Sequence, residues 1–435
     1  MKKVAFYTLG CKVNQYETEA MLEMFKEDGY EQVGSEDYAD VYVINTCTVT
    51  HMSDRKSRQY IRRMKKKNPN AIIAVVGCYS QVSPEEILEI QEVNLVMGTN
   101  ERRTIVDEIK KLEVVEGDKK ASTVDDIMKV RAFEDIEISQ SNGRTRAFMK
   151  IQDGCDRFCT YCIIPYARGG KVRSRDIKSI ANEAKTLAEN GYEEVVLTGI
   201  HVASYGKDLK EEVGLLDVIK KINEIDGIKR IRTSSVEPIL FTDEFVNEVS
   251  KMEKVMPHYH LSLQSGCDKT LERMNRRYTT EEYKEIVDKL RREIPNVTIT
   301  TDVIVGFPGE TEEEFEQTYN FLKDIKLSQM HIFKYSPRKG TRAADMKDQV
   351  SPQIKHERSE KLLQLNKENF EKFASKMVGK EFEVLFEQKT EENKYEGLTP
   401  NYLKTFVNYN EDICGKILKV KIIEVKDEYV EGILV

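Results

Sequence analysis

Three cysteines stand at a spacing suited to metal chemistry: Cys155-Asp-Arg-Phe-Cys159-Thr-Tyr-Cys162. Thiolates are soft ligands, and a [4Fe–4S] cluster ordinarily takes four of them. Three from one short loop hold three irons and leave one iron open to a substrate or cofactor. A zinc knot is the other use of such a loop. Zinc wants a fourth ligand, however, and the nearest histidine, His201, is far along the chain. The spacing favours a cluster. Three more cysteines, Cys11, Cys47 and Cys78, are scattered, while Cys267 and Cys414 stand alone. In a large chain with reduced thiols, clustered cysteines serve metals or catalysis rather than disulfides. Cys267 and Cys414 lack a partner at ligand spacing and are expected to be structural, since free cysteine is commonly a small buried hydrophobe.

The elements around the scattered three explain how they could meet. Val4–Leu9, Val41–Asn45 and Ala71–Val76 are short β-branched runs that read as buried parallel strands, with helices near Glu17–Asp28 and Ser53–Lys67. A doubly wound α/β domain over residues 1–112 follows. Cys11, Cys47 and Cys78 each come just after one of those strands. Parallel strands present their carboxyl ends on one edge, where such folds bind ligands, so three distant cysteines converge.

Residues 113–143 are mainly polar without sustained periodicity and read as a linker. Residues 144–376 repeat strand and helix. The strands are expected at Ala147–Gln152, Glu194–Gly199, Arg230–Ser234, Tyr259–Gln264, Ile299–Val305 and Met330–Tyr335. Six units predict an incomplete (β/α) barrel with the cysteine loop following its first strand, at the face where barrel active sites lie. Ser351–Lys376 reads as a long helix. Residues 377–435 alternate with period two and predict a small all-β barrel.

With 40% hydrophobic residues in 435, the chain can build several cores, and its 33% charged residues are too sign-balanced for a disordered chain. No apolar run reaches the ~20 residues of a membrane span, and MKKVAFYTLG has no signal-peptide pattern, so a cytoplasmic protein is expected. The net charge of −7 means that an anionic partner must be met by a local patch.

CDRFCTYC, with Tyr161 before its last cysteine, resembles the motif of the radical S-adenosylmethionine (SAM) superfamily. The resemblance implies that SAM chelates the open iron and is cleaved by one electron to a 5′-deoxyadenosyl radical. It also implies cofactor contacts at Tyr161, Thr198, Gly199, Ser235, Glu237, Gln264, Val305 and Gly306. GCKVNQYE, NTCTVT and GCYSQ look like the N-terminal domain of methylthiotransferases, whose three cysteines carry a second [4Fe–4S] cluster. The likeness covers essentially the whole chain, through PYARGG and FPGET to a terminal TRAM-like domain.

This family attaches sulfur and methyl at a carbon whose C–H no side chain of ordinary pKa can deprotonate. The implied chemistry consumes two SAM molecules, one for methyl and one for the radical, with electrons from a flavodoxin- or ferredoxin-like donor. GCKVNQYE and LTGIHVASYG look most like the branch acting on N6-threonylcarbamoyladenosine of tRNA, with His201 near the substrate. Isopentenyladenosine in tRNA and a ribosomal-protein aspartate are the alternatives. A non-catalytic iron–sulfur RNA-binding protein is the remaining one.

Arg55–Lys67 holds eight basic residues and no acidic one, and Arg144–Lys178 nine against three. Unmixed runs suit phosphate backbones. Arg55, Arg62, Arg63, Lys66, Arg168, Arg173 and Arg175 are thus candidates to touch RNA; neither DNA nor membrane is expected. Residues 371–435 hold ten basic and thirteen acidic side chains, yet Tyr395, Tyr402, Phe406 and Tyr409 could stack bases on one face.

Overall fold

The computed structural model describes residues 1–49, 51–115, 120–140 and 145–435, with His51 described by its backbone alone. Arg144 and residues 116–119 and 141–143 of the expected linker lie outside the described residues. The chain opens with six parallel strands: β1 (Lys3–Thr8), β2 (Glu31–Val33), β3 (Val41–Thr46), β4 (Ile72–Gly77), β5 (Leu95–Met97) and β6 (Ala121–Thr123). Their spatial order is β2-β1-β3-β4-β5-β6. The run VYVINT of β3 is buried at every residue because helices cover both faces, with separate apolar cores on each side. The helix α1 (Lys12–Glu27) follows β1, and α2 (His51–Lys67) follows β3. The expected linker is partly structural: β6 extends the sheet, and Ile136 and Ile138 are buried in the core of the following domain. Its polar composition hides this because β6 is a short edge strand, only part-buried.

The second domain holds β7 (Arg146–Asp153), β8 (Arg173–Ser174), β9 (Glu194–Gly199), β10 (Arg230–Thr233), β11 (His258–His260), β12 (Thr298–Val305) and β13 (Gln329–Lys334). They form two sheets, β10-β9-β7-β8 and β11-β12-β13, joined by the bridges Ile231↔Val255 and Val236↔Leu261. The six expected strands are the parallel staves of an open barrel, and β8 adds an antiparallel edge. Strand β11 is shorter than the expected Tyr259–Gln264: beyond His260 the chain keeps only isolated bridges, at Leu261 and at Gln264, which has a left-handed φ of 74°.

Five strands close the last barrel: β14 (Glu381–Glu391), β15 (Lys394–Leu398), β16 (Lys404–Asn408), β17 (Ile417–Val425) and β18 (Val430–Leu434). Its aromatics do not share one face. Tyr395 is core, Phe406 packs edge-on to Tyr429, Tyr409 is exposed, and Tyr402 leaves the barrel to stack on His258 at 4.1 Å. The small barrel docks on the amino-terminal ends of β7, β9 and β10. There Arg232 pairs with buried Glu194 at 2.7 Å and donates to the carbonyls of Thr399 and Pro400. No helix among the described residues is long and apolar enough to cross a membrane. Arg232→Ala strands Glu194 with fewer cations and opens the dock. It is expected to lower stability by about 3 kcal/mol, read as a shifted urea midpoint; an unchanged midpoint would contradict this account of the dock.

Candidate active site between two cysteine triads

Strands β1, β3 and β4 are neighbours, and their carboxyl ends deliver Cys11, Cys47 and Cys78 to one edge. Cys47 and Cys78 follow their strands directly, and Cys11 is the N-cap of α1, without a side-chain cap. Asn14 ties two of the loops by donating to the carbonyls of Leu9, at 2.8 Å, and Thr46, at 2.9 Å. A Cβ at Gly10 would lie 3.0 Å from that of Cys47, so glycine lets the two loops close.

The second triad follows β7. Gly154 has φ 73° and its Cβ would strike the Lys171 carbonyl at 2.0 Å, a turn only glycine makes. Phe158, at φ 47°, bends the loop between its cysteines. Asn275 donates to the carbonyls of Arg157 and Phe158, and Thr160 is held by Arg273 and Met274. Burial pushes the Cys78, Cys155 and Cys162 thiols up to about 12. Thiols that polypeptide alone leaves protonated become thiolates on a metal cation, so the donor set fits an iron–sulfur cluster. Charged partners agree: Arg168 Nε donates to Cys78 Sγ at 3.2 Å, and Arg276 Nη1 to Cys159 Sγ at 3.4 Å.

A cavity of about 270 Å³ is lined by Val49, Tyr161, Cys162, Gln264, Asp302 and Arg338, among others. Val49 is two residues beyond Cys47, so both domains wall the same space. Arg338 clasps them by donating to Thr48 Oγ1 at 2.6 Å and Asp54 Oδ2 at 2.8 Å.

The expected cofactor contacts divide. Tyr161 and Gln264 line the cavity, Gln264 on a strained backbone of the kind that collects at functional sites. Gly199 is partly open, Thr198 spends its hydroxyl on the Met149 carbonyl, and Ser235 is exposed. Glu237 lies within ion-pair distance of Arg157, at 3.0 Å, His201, at 3.0 Å, and Arg276, at 3.1 Å. Against its burial, these hold the carboxyl at about 2, with His201 the strongest. His201 thus serves Glu237. Val305 and Gly306 do not line the cavity. Val305 packs outward in the core and its carbonyl accepts from Tyr335, while the space beside Gly306 is filled by Lys355. The alternation of β12 turns residue 305 to the helices.

Arg168, Arg173 and Arg175, expected to face RNA, are also corrected: all three are buried in ion pairs. Their run mixes with distant carboxylates that sequence proximity does not reveal. Arg55, Arg62, Arg63 and Lys66 are exposed along α2, Arg63 paired with Glu36. Cys267 is buried and donates to Gln317 at 3.2 Å, and Cys414 is partly buried. Arg276 and Arg338 lie outside the quoted motifs, and only their contacts, with Cys159 and with Thr48 of the Cys47 loop, mark them.

Residues 3–98 match the Uncharacterized protein family UPF0004, 149–322 the Radical SAM superfamily, and 375–435 the TRAM domain. The chain is 46% identical over 440 residues to a threonylcarbamoyladenosine tRNA methylthiotransferase, MtaB, of Bacillus subtilis, covering 99% of this chain and 96% of that protein. The chain belongs to the radical SAM methylthiotransferase family. An MtaB of Aquifex aeolicus is 42% identical (97% of this chain, 100% of that one). A tRNA-2-methylthio-N(6)-dimethylallyladenosine synthase of Clostridium botulinum is 38% identical (96% and 92%). Among solved structures, the radical SAM methyltransferase TsrM of Kitasatospora setae has a TM-score of 0.56 at 13% identity, covering 78% of this chain and 74% of that one, a likeness of fold. As in other members of the methylthiotransferase family, two [4Fe–4S] clusters and SAM are its cofactors.

At the domain boundary Glu17 is fully buried among Lys150, at 2.7 Å, Arg102, at 3.1 Å, and Arg168. Burial opposes its ionisation, but the three cations, Arg102 foremost, hold its carboxyl at about 2. A carboxyl depressed from its ordinary 4.5 stabilises fully above that pH and loses its contribution as pH falls toward 2. Glu17→Gln is expected to cost about 3–5 kcal/mol at neutral pH, because it strands buried cations, and to flatten the acid limb of the stability curve. Circular dichroism melts across pH 2–7 check this; an unaltered acid limb refutes it.

Proposed function

We propose that the chain methylthiolates carbon 2 of N6-threonylcarbamoyladenosine beside the tRNA anticodon, one SAM giving methyl and a second the radical. The observation that carries this reading is the shared cavity, with Cys162 on one wall and Val49 of the Cys47 loop on the other. The MtaB relatives at 46% and 42% identity support threonylcarbamoyladenosine over the dimethylallyl base and the ribosomal aspartate.

Cys155, Cys159 and Cys162 would hold the cluster that binds SAM, and Cys11, Cys47 and Cys78 the second. When bound, clusters and SAM supply the one-electron chemistry, the sulfur and the methyl group that side chains cannot. The chain supplies position and field. Arg276 donates to Cys159 Sγ and steadies negative charge on that sulfur, with Glu237 orienting the guanidinium. Arg168 does the same at Cys78 and, through Glu17 and Asn14, fixes the second triad relative to the first. Tyr161, Gly199 and Gln264 are offered as SAM contacts. The apolar part of the wall, Ile163, Ile164 and Ile304, limits water where a carbon radical must survive.

We take 1–112, with β6, as the second-cluster domain, 144–376 as the SAM domain and 377–435 as the TRAM barrel. A cytoplasmic location and a flavodoxin- or ferredoxin-like donor complete the proposal.

Two measurements test it. Reconstituted protein, SAM, dithionite and tRNA bearing threonylcarbamoyladenosine, incubated without oxygen, should yield the methylthio nucleoside on digestion and mass spectrometry. Cys159→Ala and Cys47→Ala should each abolish product and lose about four irons per chain. Formation of 5′-deoxyadenosine without product would reject the substrate, and neither product from fully loaded protein would reject the enzyme. Separately, Arg55→Gln with Arg62→Gln and Lys66→Gln should weaken tRNA binding and reduce the salt slope by about 1 for each phosphate the variant no longer neutralises. An unchanged slope would remove α2 from the RNA interface.

A further inference from the structure

Ile304 and Phe333 are partners in the β12–β13 register, and both line the cavity beside Cys162. Residues two apart on a strand share a face, so the preceding pair, Asp302 and His331, belongs to the same inward rows. Met330 and Ile332, which alternate with them, pack into the core instead. Asp302 itself lines the cavity. His260, on β11, meets this pair: its Nε2 lies 3.2 Å from Asp302 Oδ2, and its ring stacks beside that of His331 with centroids 5.6 Å apart. The three residues bring one ligand atom each within 4.8 Å of one another. Neither cysteine triad touches them, and the radical chemistry assigns them no part.

Two imidazoles and one carboxylate on adjacent strands are a donor set for a first-row divalent cation, with coordination positions left open. The spacing suits one. With bonds of about 2.1 Å, ligand atoms 3.2 Å apart subtend about 100° at a shared ion, between the octahedral and tetrahedral angles. Thr300 Oγ1 holds His260 Nδ1 at 2.9 Å, which orients the ring and turns Nε2 toward Asp302, as outer partners do for metal-ligating histidines. Among the described residues no hydrogen bond engages the ring nitrogens of His331. An ion pair of His260 with Asp302 would leave that histidine without a role. Lys12, which lies near His331, adjoins Cys11, so the thiolates of the second cluster answer its charge.

We propose that His260, Asp302 and His331 hold a divalent cation in the cavity wall, and that its open positions take oxygen donors of the threonylcarbamoyl group. The second half of the proposal rests on the substrate reading given above. A purine offering C2 to the space beside Cys162 holds its N6 substituent beyond ring nitrogen N1, on another wall of the same cavity. That substituent carries a carboxylate and a hydroxyl on neighbouring carbons, oxygen donors suited to a divalent ion. A dimethylallyl group carries only hydrocarbon and offers the ion nothing. The cation thereby favours the threonylcarbamoyl base.

Manganese is the probe, because Mn(II) prefers oxygen and nitrogen donors to the cluster thiolates. Holoenzyme with both clusters loaded is titrated with Mn(II) without oxygen, and the free ion is read by electron paramagnetic resonance. About one ion should bind per chain, and His331→Ala and Asp302→Asn should each weaken it by at least the ~10- to 100-fold that loss of a mere supporting partner costs. Iron and sulfide content shows that each variant keeps its clusters. The nucleoside threonylcarbamoyladenosine should tighten manganese by about 10-fold and its methyl ester should not, a coupling of ordinary size. Binding that is absent, or equal in wild type and both variants, marks an adventitious ion only and overturns the site. Manganese that binds through these residues but ignores the nucleoside overturns the ion's part in choosing the substrate. Failure of wild type to modify threonylcarbamoyl tRNA rejects the substrate reading and leaves the cation site standing.

Discussion

A buried ionic cluster between the first two domains governs the rest of the structure. Glu17, Glu134 and Asp153 meet Arg102, Lys150, Arg168 and Arg173 almost wholly out of water. The cations outnumber the carboxylates by one, and Arg168 turns its Nε to Cys78 Sγ. A metal-bound thiolate there completes the charge balance. Buried pairs of this kind seldom add much net stability, but separating them is strongly unfavourable. The domains are therefore fixed in one relative position, and the two cysteine triads with them.

The other side of the cavity follows the same logic with different groups. Glu237 gathers Arg157, His201 and Arg276, and Arg276 reaches Cys159. Arg338 returns from the end of β13 to the Cys47 loop. Each triad thus has one sulfur touched by a guanidinium that is itself held by a carboxylate. Bidentate, permanently charged arginine suits this work better than lysine. The C-terminal barrel joins through Arg230, Arg232 and Arg146, and its Tyr402 lies under the barrel interior against His258. The first two domains wall the cavity, and the third braces the opposite end of the barrel.

Much of the fold is legible in the chain. Runs such as VYVINT and TITTDVIV are long enough, and β-branched enough, to declare buried strands, and their ends fall within a residue or two of where the pattern puts them. Strand β11 stops short of its expected run, where only isolated bridges follow and Gln264 turns left-handed, neither of which the residue pattern registers. Strands β5 and β6 leave no legible signal because three residues carry too little pattern, and β6 lies on an edge with little to bury. The basic stretch from Arg144 misleads in its buried members: charge along a sequence looks the same whether its partners are phosphates or carboxylates far away in the chain.

What the sequence determined by itself is the set of ligands and the order of elements. CDRFCTYC is local chemistry, and three cysteines at three strand ends follow from the geometry of parallel sheets. What only the tertiary structure decided is the company those ligands keep. Arg276 and Arg338 have no motif, because their roles depend on contacts with residues far away in the chain: Arg276 with Cys159, Arg338 with Thr48. Spacing encodes what one loop can hold. The docking of three domains, set by buried charge, decides what the loops face.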